Sequence, residues 1–73
     1  MARETVEVPI TGKIISASVK VGDEVKEGDI LCILESMKME NPILAPVSGV
    51  IAQMGVTADQ VVKPGETIAI IEY

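Results

Sequence analysis

The chain predicts an all-β fold, and three observations carry that expectation. Ten Val and ten Ile stand against three Leu, with no Phe or Trp and a single Tyr, and β-branched side chains suit a pleated strand better than a helix. Gly and Pro interrupt the chain too often for a long helical period. The third observation is a repeat. T-G-K-I-I-S-A-S-V-K-V-G-D-E-V-K-E-G-D-I-L-C-I-L-E from Thr11 lies over S-G-V-I-A-Q-M-G-V-T-A-D-Q-V-V-K-P-G-E-T-I-A-I-I-E from Ser48 without a gap. Gly12 falls on Gly49, Ile14 on Ile51, Val19 on Val56, Val25 on Val62, Lys26 on Lys63, Gly28 on Gly65, Ile33 on Ile70 and Glu35 on Glu72, with Pro9 and Pro46 matched just upstream.

Each half reads as short strands divided by turn signals. V-E-V-P-I places Val6, Val8 and Ile10 on one face by period two, with Pro9 marking an edge or a strand end. K-I-I-S-A-S-V from Lys13 is a second strand, V-G-D-E-V-K-E-G-D from Val21 a turn region with a short extended piece at Val25, and I-L-C-I-L-E from Ile30 a further strand. The second half repeats the order as N-P-I-L-A-P, V-I-A-Q-M-G-V, A-D-Q-V-V-K-P-G-E and T-I-A-I-I-E-Y. About four strands per half, packed as two small sheets, predict a flattened barrel or sandwich.

The repeat contains an informative mismatch, Gly22 against Asp59. Asp is among the few residues other than Gly that tolerate a left-handed backbone. Superposed halves therefore require positive φ at both.

At 73 residues the chain is one domain, spanning residues 1–73, near the lower limit for a core without disulfide or metal support. Cys32 is the only cysteine, so it forms no intrachain disulfide and no cysteine metal cluster. Within I-L-C-I-L it reads as a small buried hydrophobe. Histidine is absent, which removes the commonest general base and the commonest metal ligand, and no metal site is expected. Asp23 and Glu24, adjacent in a turn region, read as solvated charge rather than a catalytic carboxylate pair. The net charge of -5, without a basic cluster or aromatic platform, argues against nucleic acid and against an anionic membrane surface. No stretch has the length of a signal or membrane-spanning segment, and the expected location is the cytoplasm.

Glu35-Ser36-Met37-Lys38-Met39-Glu40-Asn41 joins the halves and falls between two strands, at a hairpin tip. A tight hairpin asks for positive φ at its central residues, usually Asn-Gly or Asp-Gly, yet here they are Met37 and Lys38. That turn makes Glu35 and Glu40 cross-strand neighbours, and like charges so placed repel. Two local rules broken together mark a candidate functional site. A lysine that is its own nucleophile is desolvated or stands beside another cation. Lys38 stands between carboxylates, so any acylation of it is expected from another enzyme.

E-S-M-K-M-E-N at the centre of a duplicated β domain resembles the biotinyl domain family, the carriers of biotin-dependent carboxylases and decarboxylases. A-P-V-S-G-V-I from Ala45 and the V-G-D-x-V-x-x-G turn are similar to the family as well, and the resemblance runs from Val6 to Glu72. It implies a barrel-sandwich hybrid: two four-stranded antiparallel sheets related by a pseudo-two-fold axis, with the modified lysine on an exposed turn opposite the termini. It implies no catalysis by the domain itself. Lys38 would be biotinylated by biotin protein ligase through biotinyl-AMP. The loaded arm would carry a carboxyl group from a biotin carboxylase to a carboxyltransferase. Glu35, Ser36, Met37, Met39 and Glu40 would let partners recognise the modified turn. Lys26 and Lys63, away from the tip, are expected to stay unmodified. Relative to the family, Val19 to Val25 leaves no room for a protruding thumb, and no Pro/Ala-rich linker precedes the domain, as in a stand-alone carrier or an excised domain. Two alternatives remain at this point: a lipoyl carrier, which shares the fold but usually carries Asp-Lys-Ala, and an unmodified structural or interaction module.

Overall fold

The computed structural model describes residues 2–73. Eight strands follow in the order β1 (Arg3–Glu7), β2 (Gly12–Ala17), β3 (Glu24–Val25), β4 (Ile30–Ser36), β5 (Met39–Leu44), β6 (Gly49–Met54), β7 (Val61–Val62) and β8 (Thr67–Glu72). They form two four-stranded antiparallel sheets, β1-β8-β6-β3 and β5-β4-β2-β7. The expected all-β sandwich is the observed fold.

The two halves are interleaved rather than set side by side. Each sheet takes two strands from the first half and two from the second, because half a domain of this size cannot bury both faces of its own strands. The register obeys the repeat residue by residue. Ile14 pairs with Leu34 and Ser16 with Ile33, as Ile51 pairs with Ile71 and Gln53 with Ile70. A bulge falls at Ile15 in one sheet and at Ala52 in the other. It reverses the in–out alternation, so that Ile14 before it is fully buried while Ser16 after it faces solvent.

The core between the sheets consists of aliphatic side chains and Cys32. Ile14, Leu31, Leu34, Ile51, Val62, Ile68 and Ile71 are all essentially inaccessible, each contributing roughly 1.5–3 kcal/mol by burial. The symmetry extends to this layer, where Ile14 mirrors Ile51, Leu31 mirrors Ile68 and Leu34 mirrors Ile71. Val6 and Val8 join the core, but Ile10 is exposed. The period-two expectation fails there because β1 stops at Glu7 and the chain bends at Ile10 and Thr11.

Asp59 has φ 71° and Gly22 φ 94°, as the repeat requires. The Asp23 N–H donates to the Lys20 carbonyl at 3.0 Å and the Gln60 N–H to the Thr57 carbonyl at 3.3 Å, closing equivalent turns. The side chains take the same parts. Asp23 Oδ2 accepts from the Lys20 N–H at 3.0 Å and Gln60 Oε1 from the Thr57 N–H at 3.1 Å. Different residues thus close the same turn, and the Asp59-Gln60 substitution leaves its geometry intact. Glu24 lies in β3 rather than in a turn, because its backbone pairs with Val50.

Cys32 is fully buried in β4 and free, and burial pushes its thiol pKa up. The folded state therefore favours the neutral thiol. Its contribution is fully present below the unfolded thiol value, about 8.5, and is lost as pH rises through the raised folded value. We expect a thiol reagent to label Cys32 only on unfolding; labelling at the rate of a free peptide thiol would contradict its burial. Ala69 holds the symmetry-equivalent place, so Cys32→Ala is expected to cost only about 1 kcal/mol in urea unfolding.

Candidate cofactor-attachment site

Lys38 is placed by the β4–β5 hairpin. Leu34 pairs with Asn41, Glu35 with Glu40 and Ser36 with Met39, leaving Met37 and Lys38 as the two-residue turn. Their φ values are 54° and 64°, the pattern of a type I′ turn, whose twist matches the flanking strands. β4 is held below the turn by Cys32 and Leu34, both buried. Asn41 fastens the other strand, its Nδ2 donating to the carbonyls of Leu34 at 3.4 Å and Met39 at 3.3 Å.

Neither turn residue is a glycine, so the left-handed backbone costs roughly 1–2 kcal/mol at each. The hairpin ladder and the core beneath it enforce the conformation. Met37→Asn, which tolerates this backbone, is expected to raise stability by about 1 kcal/mol. A lowered urea midpoint would show that the methionine makes a stabilising contact.

The apex is open. Met37 is 92% exposed and Met39 67%, so neither fills the core, and Lys38 is exposed between them. Among the described residues the ion pairs are Arg3–Glu72 at 2.8 Å and Lys13–Asp59 at 3.8 Å; the Lys38 ammonium joins neither. Glu35 and Glu40 face each other across the hairpin, as expected from the turn. In the repeat this pair corresponds to Glu72 and Arg3, which are also cross-strand partners and form a salt bridge. One end of the molecule therefore carries a neutralised pair and the lysine end an acidic one.

The structure brings together Glu35, Ser36, Met37, Lys38, Met39 and Glu40 in one hairpin. Lys26 and Lys63 lie instead in equivalent turns between strands, where the Asp29 and Glu66 carboxylates accept from their backbone N–H groups at 2.8 and 2.6 Å. Sequence reasoning missed two supports of the tip. Lys13 stands beside Glu35 on β2, and Gly12 lies against the Glu35 backbone so closely that a Cβ would overlap its carbonyl oxygen. The match of Gly12 to Gly49 carried that signal, since Gly49 lies against Glu72 in the same way.

A β domain with a continuous core that lifts one lysine to the apex of a hairpin is a carrier for a covalently attached group. The family model described as Biotin-requiring enzyme matches residues 4–71, and the chain belongs to this biotin-attachment family. A biotinylated protein TB7.3 homolog of Mycobacterium leprae is 40% identical over 68 residues, 93% of this chain and 96% of that one. The biotin carboxyl carrier protein of Streptococcus mutans is 40% identical over 70 residues, 96% of this chain and 54% of its own length. In the crystal structure of the urea carboxylase of Kluyveromyces lactis the similar region gives a TM-score of 0.89 at 29% identity. It covers 99% of this chain and 6% of that one. The chain thus spans nearly all of the first relative, about half of the second and a small part of the enzyme.

Proposed function

We propose that the domain is a biotin carboxyl carrier and that biotin is attached to Lys38, serving a biotin-dependent carboxylase or decarboxylase. The observation that carries this reading is the apex itself: an exposed primary amine, in no ion pair among the described residues, on a turn whose strained backbone projects it from the core. An amide bond to biotin requires from this chain only such an amine, the activated acyl group being supplied by the loading enzyme, and the residues present fit the group.

Biotin protein ligase is the enzyme that would load Lys38, and Met37 and Met39 offer it soft apolar surface beside the amine. Bound biotin supplies the chemistry by accepting and releasing a carboxyl group. The chain supplies position. The lysine stem tethers the group, so that it meets two successive active sites at high effective concentration. Those sites would be a biotin carboxylase and a carboxyltransferase. The relatives named as biotinylated or as biotin carboxyl carriers support biotin over lipoate, as do the two methionines. Co-purification with carboxylase and transferase subunits tests the partners; a lipoate-dependent complex recovered in their place would overturn the assignment.

A further inference from the structure

The geometry points to the outer face of sheet β5-β4-β2-β7, where Ile30 and Leu44 lie below Glu35 and Glu40, as the surface on which the acylating ligase docks. This inference rests on the reading of Lys38 as the biotinylated residue. The internal repeat supplies a reference surface, because the other sheet has equivalent strands in the same register.

On the outer face of β4 and β5, Glu35 pairs with Glu40, Ile33 with Pro42 and Ile30 with Leu44. The equivalent pairs on the other sheet are Glu72 with Arg3, Ile70 with Thr5 and Thr67 with Glu7. Where the reference face carries Thr5, Glu7 and Thr67, the lysine-bearing face carries Pro42, Leu44 and Ile30. Leu44 is 48% exposed and Ile30 43%. Where the reference face carries Arg3 in a salt bridge, the lysine-bearing face carries Glu40 opposite Glu35. Folding imposes neither difference, since the same backbone accepts polar residues and an ion pair at these positions.

Both differences suit one partner. Forming an amide from a carboxylic acid in water requires an activated acyl group. An acyl phosphate or acyl adenylate is anionic, so the enzyme that holds it lines its site with cations. Those cations come closest to the hairpin tip, where Glu35 and Glu40 join no ion pair among the described residues although Lys13 stands beside Glu35, and the complementary charge raises the encounter rate. Roughly 15 Å further down the strands, Leu44 and Ile30 offer exposed aliphatic surface for a matching apolar patch.

The test exchanges residues between equivalent positions, which keeps each substitution within what the fold already accepts. Ile30→Thr with Leu44→Glu, Glu40→Arg alone, and the reciprocal Thr67→Ile with Glu7→Leu are made in the full chain. Thermal melting checks folding and sedimentation the oligomeric state. Biotinylation by a purified biotin protein ligase is followed by intact mass over a range of carrier concentrations. The Ile30/Leu44 variant is expected to raise KM about tenfold with kcat unchanged. Glu40→Arg is expected to lower kcat/KM and flatten its dependence on salt. The Thr67/Glu7 variant should stay within about twofold of the natural chain. Equal losses on both faces, or none on the lysine-bearing face, would overturn the proposal. So would a natural dimer that the Ile30/Leu44 variant dissociates, since the face would then join two copies of this chain. A natural chain that takes no biotin at Lys38 would instead bring down the underlying reading, and the ligase surface with it.

Discussion

Lys38→Ala is expected to abolish biotin incorporation completely while leaving the fold in place. The amine is the only atom of this side chain that the attachment chemistry requires. The side chain is exposed at the apex and joins no ion pair among the described residues, so its removal leaves no cavity and orphans none of them, and surface changes of this kind stay within about 0.5 kcal/mol. Lys38→Arg should behave the same way, because a guanidinium keeps the charge but does not supply the acylated amine. Intact mass and a streptavidin blot, before and after each substitution, give the readout. The natural chain should gain one biotinyl group and both variants none. Lys26→Ala and Lys63→Ala should remain fully biotinylated, since their turns lack the projecting type I′ backbone. Biotin retained on the alanine variant, or a lipoyl mass on the natural chain, would sink the assignment.

Gly12→Ala and Gly49→Ala should produce the largest losses of stability. In each case the added methyl would overlap a backbone carbonyl oxygen, that of Glu35 or of Glu72, and a backbone atom in a paired strand cannot step aside as a flexible side-chain end can. The neighbouring strands must separate locally, at a cost of about 3 kcal/mol, the upper part of the usual range for overpacking. Against a total stability of about 5–15 kcal/mol for a small domain, that is a large fraction. The functional consequences should differ. Gly12 supports the strand position three residues before Lys38, whereas Gly49 supports Glu72 at the opposite end of the repeat. At a temperature where both variants are folded, Gly12→Ala is expected to slow biotinylation and Gly49→Ala to leave its rate unchanged. Urea unfolding that found either loss below about 1 kcal/mol would show that the strands absorb the methyl.

Much of this was legible before the strands were seen in space. The repeat is readable because turns restrict residue choice: Asp59 opposite Gly22 was informative only because few side chains accept φ above zero. The hairpin tip was readable because Met37 and Lys38 occupy positions that tight turns reserve for Asn and Gly. Ile10 shows the limit of such reading. Alternation in V-E-V-P-I continues past Glu7, where the strand ends, into a bend at Ile10, so the last apolar residue of the pattern faces water.

By itself the sequence determined the fold class, the duplication and the residue to be carried at the apex, because these depend on local rules: β-branched composition, turn chemistry and the spacing of like residues. Only the tertiary structure decided that the halves interleave, two strands of each in every sheet. That choice depends on which pairing buries both faces at once, a sum over contacts distant along the chain. The interleaving pairs β1 with β8 and so forms the Arg3–Glu72 salt bridge at the place that corresponds, on the other sheet, to the Glu35–Glu40 pair of the hairpin. It also sets β7 of the second half against β2, the strand that flanks the one leading to Lys38. The amine at the tip is written in six residues, but the ground on which it stands is assembled from both halves of the chain.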